Sequence, residues 1–106
     1  MEKLPRKEMI YDMLVKEPND VFLNYALAME HLSAEEFKEA EAQLRKVLDI
    51  NSNYLPCFYQ LGQVNEKLAN NELALSYYKQ GVDLAKLQNN TKALGELNEA
   101  IWMLED

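Results

Sequence analysis

His31 and Cys57 are the one histidine and the one cysteine of the chain, and so the first candidates for nucleophilic catalysis. In a Cys–His dyad the base must lie about 3 Å from the thiol. The helical pattern described below puts His31 near the end of one helix and Cys57 near the start of a later helix that runs in about the same direction. Their positions along the axis then differ by roughly 12 Å, because a helix rises about 1.5 Å per residue. We therefore expect no catalytic dyad and no enzymatic activity.

Metal and cofactor sites also lack the residues they need. A single histidine rules out a histidine-rich zinc site, and the sequence contains neither CxxC nor HExxH. Carboxylates at the start of a helix are favoured by its dipole, so we interpret one acidic cluster as a solvated charge run and not as a calcium site. Its members are Glu35, Glu36, Glu39 and Glu41. No glycine-rich phosphate loop is present, and we expect neither a metal nor a cofactor.

The charge of the chain argues against two classes of partner. Its 106 residues carry a net charge of −7, whereas nucleic acids and anionic membranes are bound by basic surfaces. The only local basic cluster is Lys3, Arg6 and Lys7, which we interpret as the solvated start of a helix. We expect no nucleic-acid partner and no membrane partner.

Cellular location can also be inferred from the sequence. No stretch approaches the roughly 18 apolar residues of a membrane helix. The N-terminal residues lack the apolar core and the small-residue cleavage site of a signal peptide. Cys57 has no second cysteine in the chain with which to form a disulfide. These features predict a cytoplasmic protein.

Helical periodicity runs through nearly the whole sequence, and no stretch alternates with a period of two. The pattern predicts six helices. Five lie at about 4–16, 21–33, 56–69, 72–86 and 91–106, and the third of the six begins after Ser33 and ends before Asn51. Connections of about two to five residues make consecutive helices antiparallel neighbours. The predicted fold class is therefore all-α, a stack of antiparallel helical hairpins.

Three helix starts carry recognisable capping residues. Asp20 precedes the second helix and is a predicted N-cap. Ser33 and Glu36 have the spacing of a capping box at the start of the third helix. Thr91 is the predicted cap of the last helix.

An internal repeat groups these helices into pairs, each pair forming a helical hairpin. Residues 21–54 align without a gap over residues 55–88, a period of 34 residues. A period of this length is typical of a stacked supersecondary unit. The identical pairs are Tyr25 with Tyr59, Leu27 with Leu61, Ala40 with Ala74, and Asp49 with Asp83.

The pattern Phe58-x-x-Leu61-Gly62, followed by Ala74 and Tyr78, resembles the tetratricopeptide repeat (TPR) family. The resemblance implies a right-handed stack in one domain, 1–106. Its parts are a half-repeat helix at 4–18, full repeats at 21–54 and 55–88, and a capping helix at 89–106. The nearest likeness is to short bacterial cytosolic TPR proteins.

Small residues in this pattern predict close contact between helices. Ala28 and Gly62 share one slot of the repeat, and Ala40 and Ala74 share the facing slot. Gly81 lies in the middle of the fifth helix, where glycine costs about 1 kcal/mol relative to alanine. We expect a crowded neighbour at each of these positions.

The departures from the family pattern are few. His31 and Asn65 occupy a slot that usually holds an aromatic residue, and Lys86 stands where a boundary proline is usual. Without that proline, the fifth helix is expected to continue into Leu87.

The family resemblance also implies a binding surface. TPR proteins use the first helix of each hairpin to line a concave groove for a peptide or a partner helix. Tyr25 and Tyr59 share a slot, so they are predicted to lie side by side, about 8–10 Å apart. For Phe22 and Met29 the alternative is burial by the terminal helices. The groove candidates are Phe22, Tyr25, Met29, Tyr59, Gln63 and Lys67, too apolar a set for the basic clamp that grips acidic tails.

The last helix offers a second candidate surface. Trp102 and Met103 flank its core-facing positions. One interpretation buries both against the fifth helix, and the other makes them a contact to another protein or to a second copy, because tryptophan often anchors interfaces. The sequence thus predicts a protein-interaction module. The alternative is a structural scaffold protein that dimerises through the last helix or through the open groove.

Overall fold

Six helices follow one another in the residues that the structure describes, which are 5–105 of this computed structural model. No strand occurs in that range, so the predicted all-α class is confirmed. The predicted start at Leu4 lies outside the described residues. The helices are α1 (Arg6–Lys16), α2 (Val21–Ser33), α3 (Phe37–Ile50), α4 (Pro56–Lys67), α5 (Asn71–Leu87) and α6 (Thr91–Glu105).

Helix bounds follow the local signals closely. Pro5 precedes the first residue of α1, and α1 ends at Lys16, ahead of Pro18. The Leu23 amide donates to Asp20 Oδ1 at 2.8 Å, so the predicted cap of α2 is confirmed. Helix α5 does continue to Leu87.

Two capping predictions are wrong. Ser33 is the last residue of α2, and α3 begins only at Phe37, so no capping box forms. Glu36 precedes α3, but its carboxylate makes no cap bond because it binds two other side chains, described below. At α6 the Ala93 amide donates to Asn90 Oδ1 at 3.0 Å, and Thr91 is already the first helical residue.

Three helix-to-helix turns share one backbone geometry. Glu35, Ala69 and Asn89 have φ angles of 57°, 61° and 54°. In each turn the following amide bonds back to a carbonyl five residues earlier, as from Glu36 to His31 at 2.9 Å. This left-handed closure satisfies carbonyls that the helix end leaves open. The same geometry reverses the chain after α2, α4 and α5.

The chain forms two compact units, and the boundary between them along the sequence falls between Ser52 and Asn53. In the first unit α2 packs against α1 and α3. Ala28 and Ala40 are completely buried, as the small-residue pattern predicts. Asn24 is buried as well, and its side-chain amide donates to Pro18 and Asp20 carbonyl oxygens at 3.0 and 2.7 Å.

In the second unit α5 packs against both α4 and α6. Ala74, Tyr78, Ala85 and Leu97 form its buried centre. A Cβ atom added at Gly81 would lie 2.8 Å from Phe58 Cβ, so the crowding predicted there is confirmed. Helix α5 is thus the central helix of this unit, with α4 and α6 on its flanks.

Candidate functional site

A cleft of about 380 Å³ opens in the second unit, lined by α4 and α6. Helix α5 packs against both of these helices, so one central helix positions both walls. We call this the α4–α6 cleft. Its lining residues are Tyr59, Gln63 and Glu66 from α4 and Glu96, Glu99, Ala100, Met103 and Leu104 from α6.

Tyr78 of α5 links the cleft to the core. Its ring is fully buried and lies directly against Gly62, where an added Cβ would collide with it. The ring centroid of Tyr59 lies 6.1 Å from that of Tyr78, at an interplanar angle of 50°. Gly62 therefore lets the Tyr78 ring approach α4 and support Tyr59, a lining residue.

The Tyr78 hydroxyl orders two polar lining residues. Gln63 Nε2 donates to it at 2.7 Å, and the hydroxyl donates in turn to a carboxylate oxygen of Glu66. Burial, together with the Glu66 carboxylate, raises the pKa of Tyr78. The hydroxyl therefore stays protonated and acts as a fixed hydrogen-bond donor to Glu66.

The cleft combines apolar surface with negative charge. Three of its eight lining residues are glutamates, and none is basic. Glu96 and Glu99 are exposed, whereas Glu66 is half-buried. The Met103 side chain is 64% exposed and supplies apolar surface.

Three predicted interface residues meet at this cleft. Tyr59 and Gln63 line it from the candidate groove, and Met103 lines it from the candidate second surface. Lys67 is exposed at the end of α4 and does not line it. Trp102 is 68% exposed, so the interpretation that buries Trp102 and Met103 against α5 is wrong.

The groove candidates of the first unit surround a different cavity. Phe22 is 71% exposed and lines an apolar cavity between α1 and α2, together with Met9 and Met13. Its predicted alternative, burial, is therefore wrong. Tyr25 and Met29 are half-buried. Tyr25 and Tyr59 belong to different units, and their predicted spacing stays a prediction.

Glu36 connects three elements of the first unit. Its carboxylate accepts a bond from Lys7 Nζ of α1 at 2.8 Å and lies 2.9 Å from His31 Nδ1 of α2. The Lys7 bond, followed by the His31 bond, lowers the pKa of Glu36. The single histidine thus serves a structural contact between α2 and the turn before α3.

Cys57 is unsuited to nucleophilic chemistry. The side chain is buried, and burial raises the pKa of its thiol to about 12. At neutral pH the reactive thiolate is then a negligible fraction. Among residues 5–105, no cluster of three acidic, histidine or cysteine side chains could hold a metal ion.

Six residues of the site were not predicted from the sequence: Glu66, Glu96, Glu99, Ala100 and Leu104 of the lining, and Tyr78 behind it. Tyr78 was predicted only as part of the repeat pattern. Glu96, Glu99 and Met103 are spaced three and four apart, which puts them on one face of a helix. That spacing was a readable signal for the α6 wall of the cleft. Glu66 falls three residues after Gln63, on the same face of α4.

Comparison with known proteins gives the family. The family model for the tetratricopeptide repeat matches residues 23–54 and 55–86. The chain belongs to the tetratricopeptide repeat family. Repeats of this family generally mediate protein–protein interaction, and proteins of this fold are typically non-catalytic.

Solved structures agree with the family assignment. A TPR domain protein from Salinibacter ruber is 33% identical, over 83% of this chain and 89% of that chain, with a TM-score of 0.78. A protein from Bordetella parapertussis is 20% identical and has a TM-score of 0.87, over 97% of this chain and 90% of that one. MamA is 14% identical, with a TM-score of 0.70 over 93% of this chain and 66% of its own. The last two show the TPR fold alone.

No curated protein matches the sequence significantly. Within the part of the chain that the structure describes, no helix is both long enough and apolar enough to cross a membrane.

Proposed function

We propose that this TPR protein is a non-catalytic interaction module that binds a peptide or a helix of a partner protein in a concave groove, to which the α4–α6 cleft belongs. The supporting observation is the α4–α6 cleft, which offers Tyr59, Gln63 and Met103 together on one concave surface. Clefts of roughly 300–1,000 Å³ with an apolar lining and a few placed polar groups are typical binding sites. Here two of the polar groups, Gln63 and Glu66, are held by Tyr78, so the α4 wall of the site is ordered before a partner arrives.

Selection from a library of random peptides displayed on phage tests this function. Peptides enriched on the immobilised protein are synthesised and titrated by calorimetry. We expect Tyr59→Ala and Met103→Ala each to weaken binding by about tenfold, because aromatic and methionine anchors contribute much of the affinity at interfaces. Tyr11→Ala, which removes an exposed tyrosine of α1, is the matched control and should leave binding unchanged. Failure to enrich any peptide, or equal binding by all variants, contradicts the proposal.

We place this activity in the cytoplasm, without a cofactor. The buried thiol of Cys57 and the structural contact of His31 support a role without catalysis. Fractionation of the native host checks the compartment, and recovery of the protein in a membrane or extracytoplasmic fraction contradicts it.

The alternative function is self-association through α6, and the exposed Trp102 favours it. An exposed tryptophan next to an exposed methionine is the composition of an interface anchor. Light scattering separates the two functions. Self-association predicts a dimer mass that Trp102→Ala converts to a monomer mass, and a monomer across a wide concentration range removes this alternative.

A further inference from the structure

We propose that the partner segment in the α4–α6 cleft is basic and amphipathic, with Lys or Arg side chains that pair with Glu66, Glu96 and Glu99. This inference rests on the proposed function and specifies the chemistry of its ligand. Two independent properties of the cleft carry it: its uniform negative charge and its apolar surface.

The charge decides which segments can enter. A segment that covers the cleft removes water from carboxylates that have no basic neighbour among the lining residues. Desolvation of an unpaired charge is costly, so a neutral occupant binds poorly and an acidic occupant is repelled as well. Lys or Arg side chains replace the lost water with charge-assisted hydrogen bonds. The net charge of −7 also steers a basic segment towards the protein.

Glu66 is the most closely defined of the three carboxylates. One of its oxygens accepts the Tyr78 hydroxyl, and this bond fixes the orientation of the carboxylate at the cleft. A fixed carboxylate loses little side-chain entropy when it pairs with a cation. Tyr59 lies one helical turn before Gln63 on α4 and also lines the cleft. Its ring offers an aromatic face that attracts a guanidinium or ammonium group.

The cleft also has apolar surface, which a ligand with charged groups alone would leave uncovered. Met103 is largely exposed, and Ala100, Leu104 and Tyr59 continue the apolar surface. A segment that also carries apolar side chains buries this surface and gains roughly 25 cal/mol for each Å² removed from water. The predicted ligand therefore alternates basic and apolar positions, as an amphipathic helix does.

The test measures the charge of the selected peptides and its effect on affinity. We expect the peptides enriched in the phage selection to carry a net positive charge, and their affinity to fall as the salt concentration rises. The paired substitution Glu96→Gln with Glu99→Gln should weaken binding of the best synthetic peptide by about tenfold. The matched control is Glu72→Gln with Asp83→Asn, which removes the same two charges from an exposed surface of α5 and should change the affinity by less than about twofold.

Three results would overturn the inference. Peptides that lose binding with Tyr59→Ala but are neutral or acidic would refute the basic ligand and leave the proposed function intact. Equal weakening by the α5 control pair would show that only the overall charge matters. Enrichment of no peptide at all would refute the proposed function together with this inference.

Discussion

Gly62 and Tyr78 show how a missing side chain shapes the α4–α6 cleft. Because Gly62 has no Cβ, the Tyr78 ring lies against α4, and its hydroxyl reaches Gln63 and Glu66 at the cleft. The small residue at Gly62 predicted a crowded neighbour at this slot of the repeat, and the Tyr78 ring confirms it. The hydrogen bonds of Tyr78 could not be predicted, since they depend on which α4 side chains meet the end of the ring.

Substitution of two glycines tests this contact. Gly62→Ala should lower the free energy of unfolding by about 1–3 kcal/mol, because the new methyl group overlaps the Tyr78 ring. Gly95→Ala is the matched control in α6, where nothing lies within 4 Å of the added Cβ. It should stabilise the protein by up to about 1 kcal/mol through helix propensity. Chemical denaturation measures both changes, and a stabilised Gly62→Ala protein would contradict the described contact.

Ala69 allows a second test at the residue scale. Its φ of 61° is costly for any residue with a Cβ, so Ala69→Gly should stabilise the protein by about 1 kcal/mol. The control is Ala42→Gly at an exposed position within α3, which should destabilise by about the same amount. Melting temperatures that move in the same direction for both variants would rule out the left-handed turn.

The helices and turns differ in how far the sequence predicts them. Helix bounds came from apolar spacing and from Pro5, Pro18 and Asp20, which act within a few residues. The cap of α6 could not be chosen from the local sequence, since Asn90 and Thr91 are both good capping residues. At α3 there is no side-chain cap, and Ser33 belongs to α2. Glu36 was misassigned because its partners Lys7 and His31 come from other elements, and only the folded chain brings them together.

The Glu36 contacts predict a dependence of stability on pH. The folded-state pKa of Glu36 lies below its unfolded value, so its contribution is complete above about pH 5 and is lost as the pH falls through the folded pKa. Wild type should therefore melt at a higher temperature than Glu36→Gln at neutral pH, and the difference should shrink as the carboxyl group titrates. Thermal melts from about pH 7 to about pH 3 measure it. A difference that stays constant over this range would show that the Lys7 and His31 bonds add no stability.

At the scale of the whole molecule, the 34-residue period predicted the family and the fold class. The family resemblance implied that the first helix of each hairpin lines a groove, and Tyr59 and Gln63 of α4 line a cleft. The α6 wall of that cleft was not predicted. Leu94-Gly95 follows Leu61-Gly62 by 33 residues, so the last helix is one residue out of register with the 34-residue repeat. The slots that locate Tyr59 therefore have no counterpart for Glu96, Glu99 and Met103. The position of this wall follows from how α6 packs on α5, through Leu97 and Ala100.

Amide chemical shifts during a titration with the best phage-selected peptide test the central claim most directly. If the α4–α6 cleft is the binding site, the largest shifts will occur at Tyr59, Gln63, Glu99 and Met103 and their neighbours on α4 and α6. At a peptide concentration near the wild-type Kd, they should be about fivefold smaller in the Tyr59→Ala protein, as a tenfold weaker affinity requires. Shifts confined to α1–α3, or scattered evenly over both units, would contradict the assignment of this cleft as the binding surface.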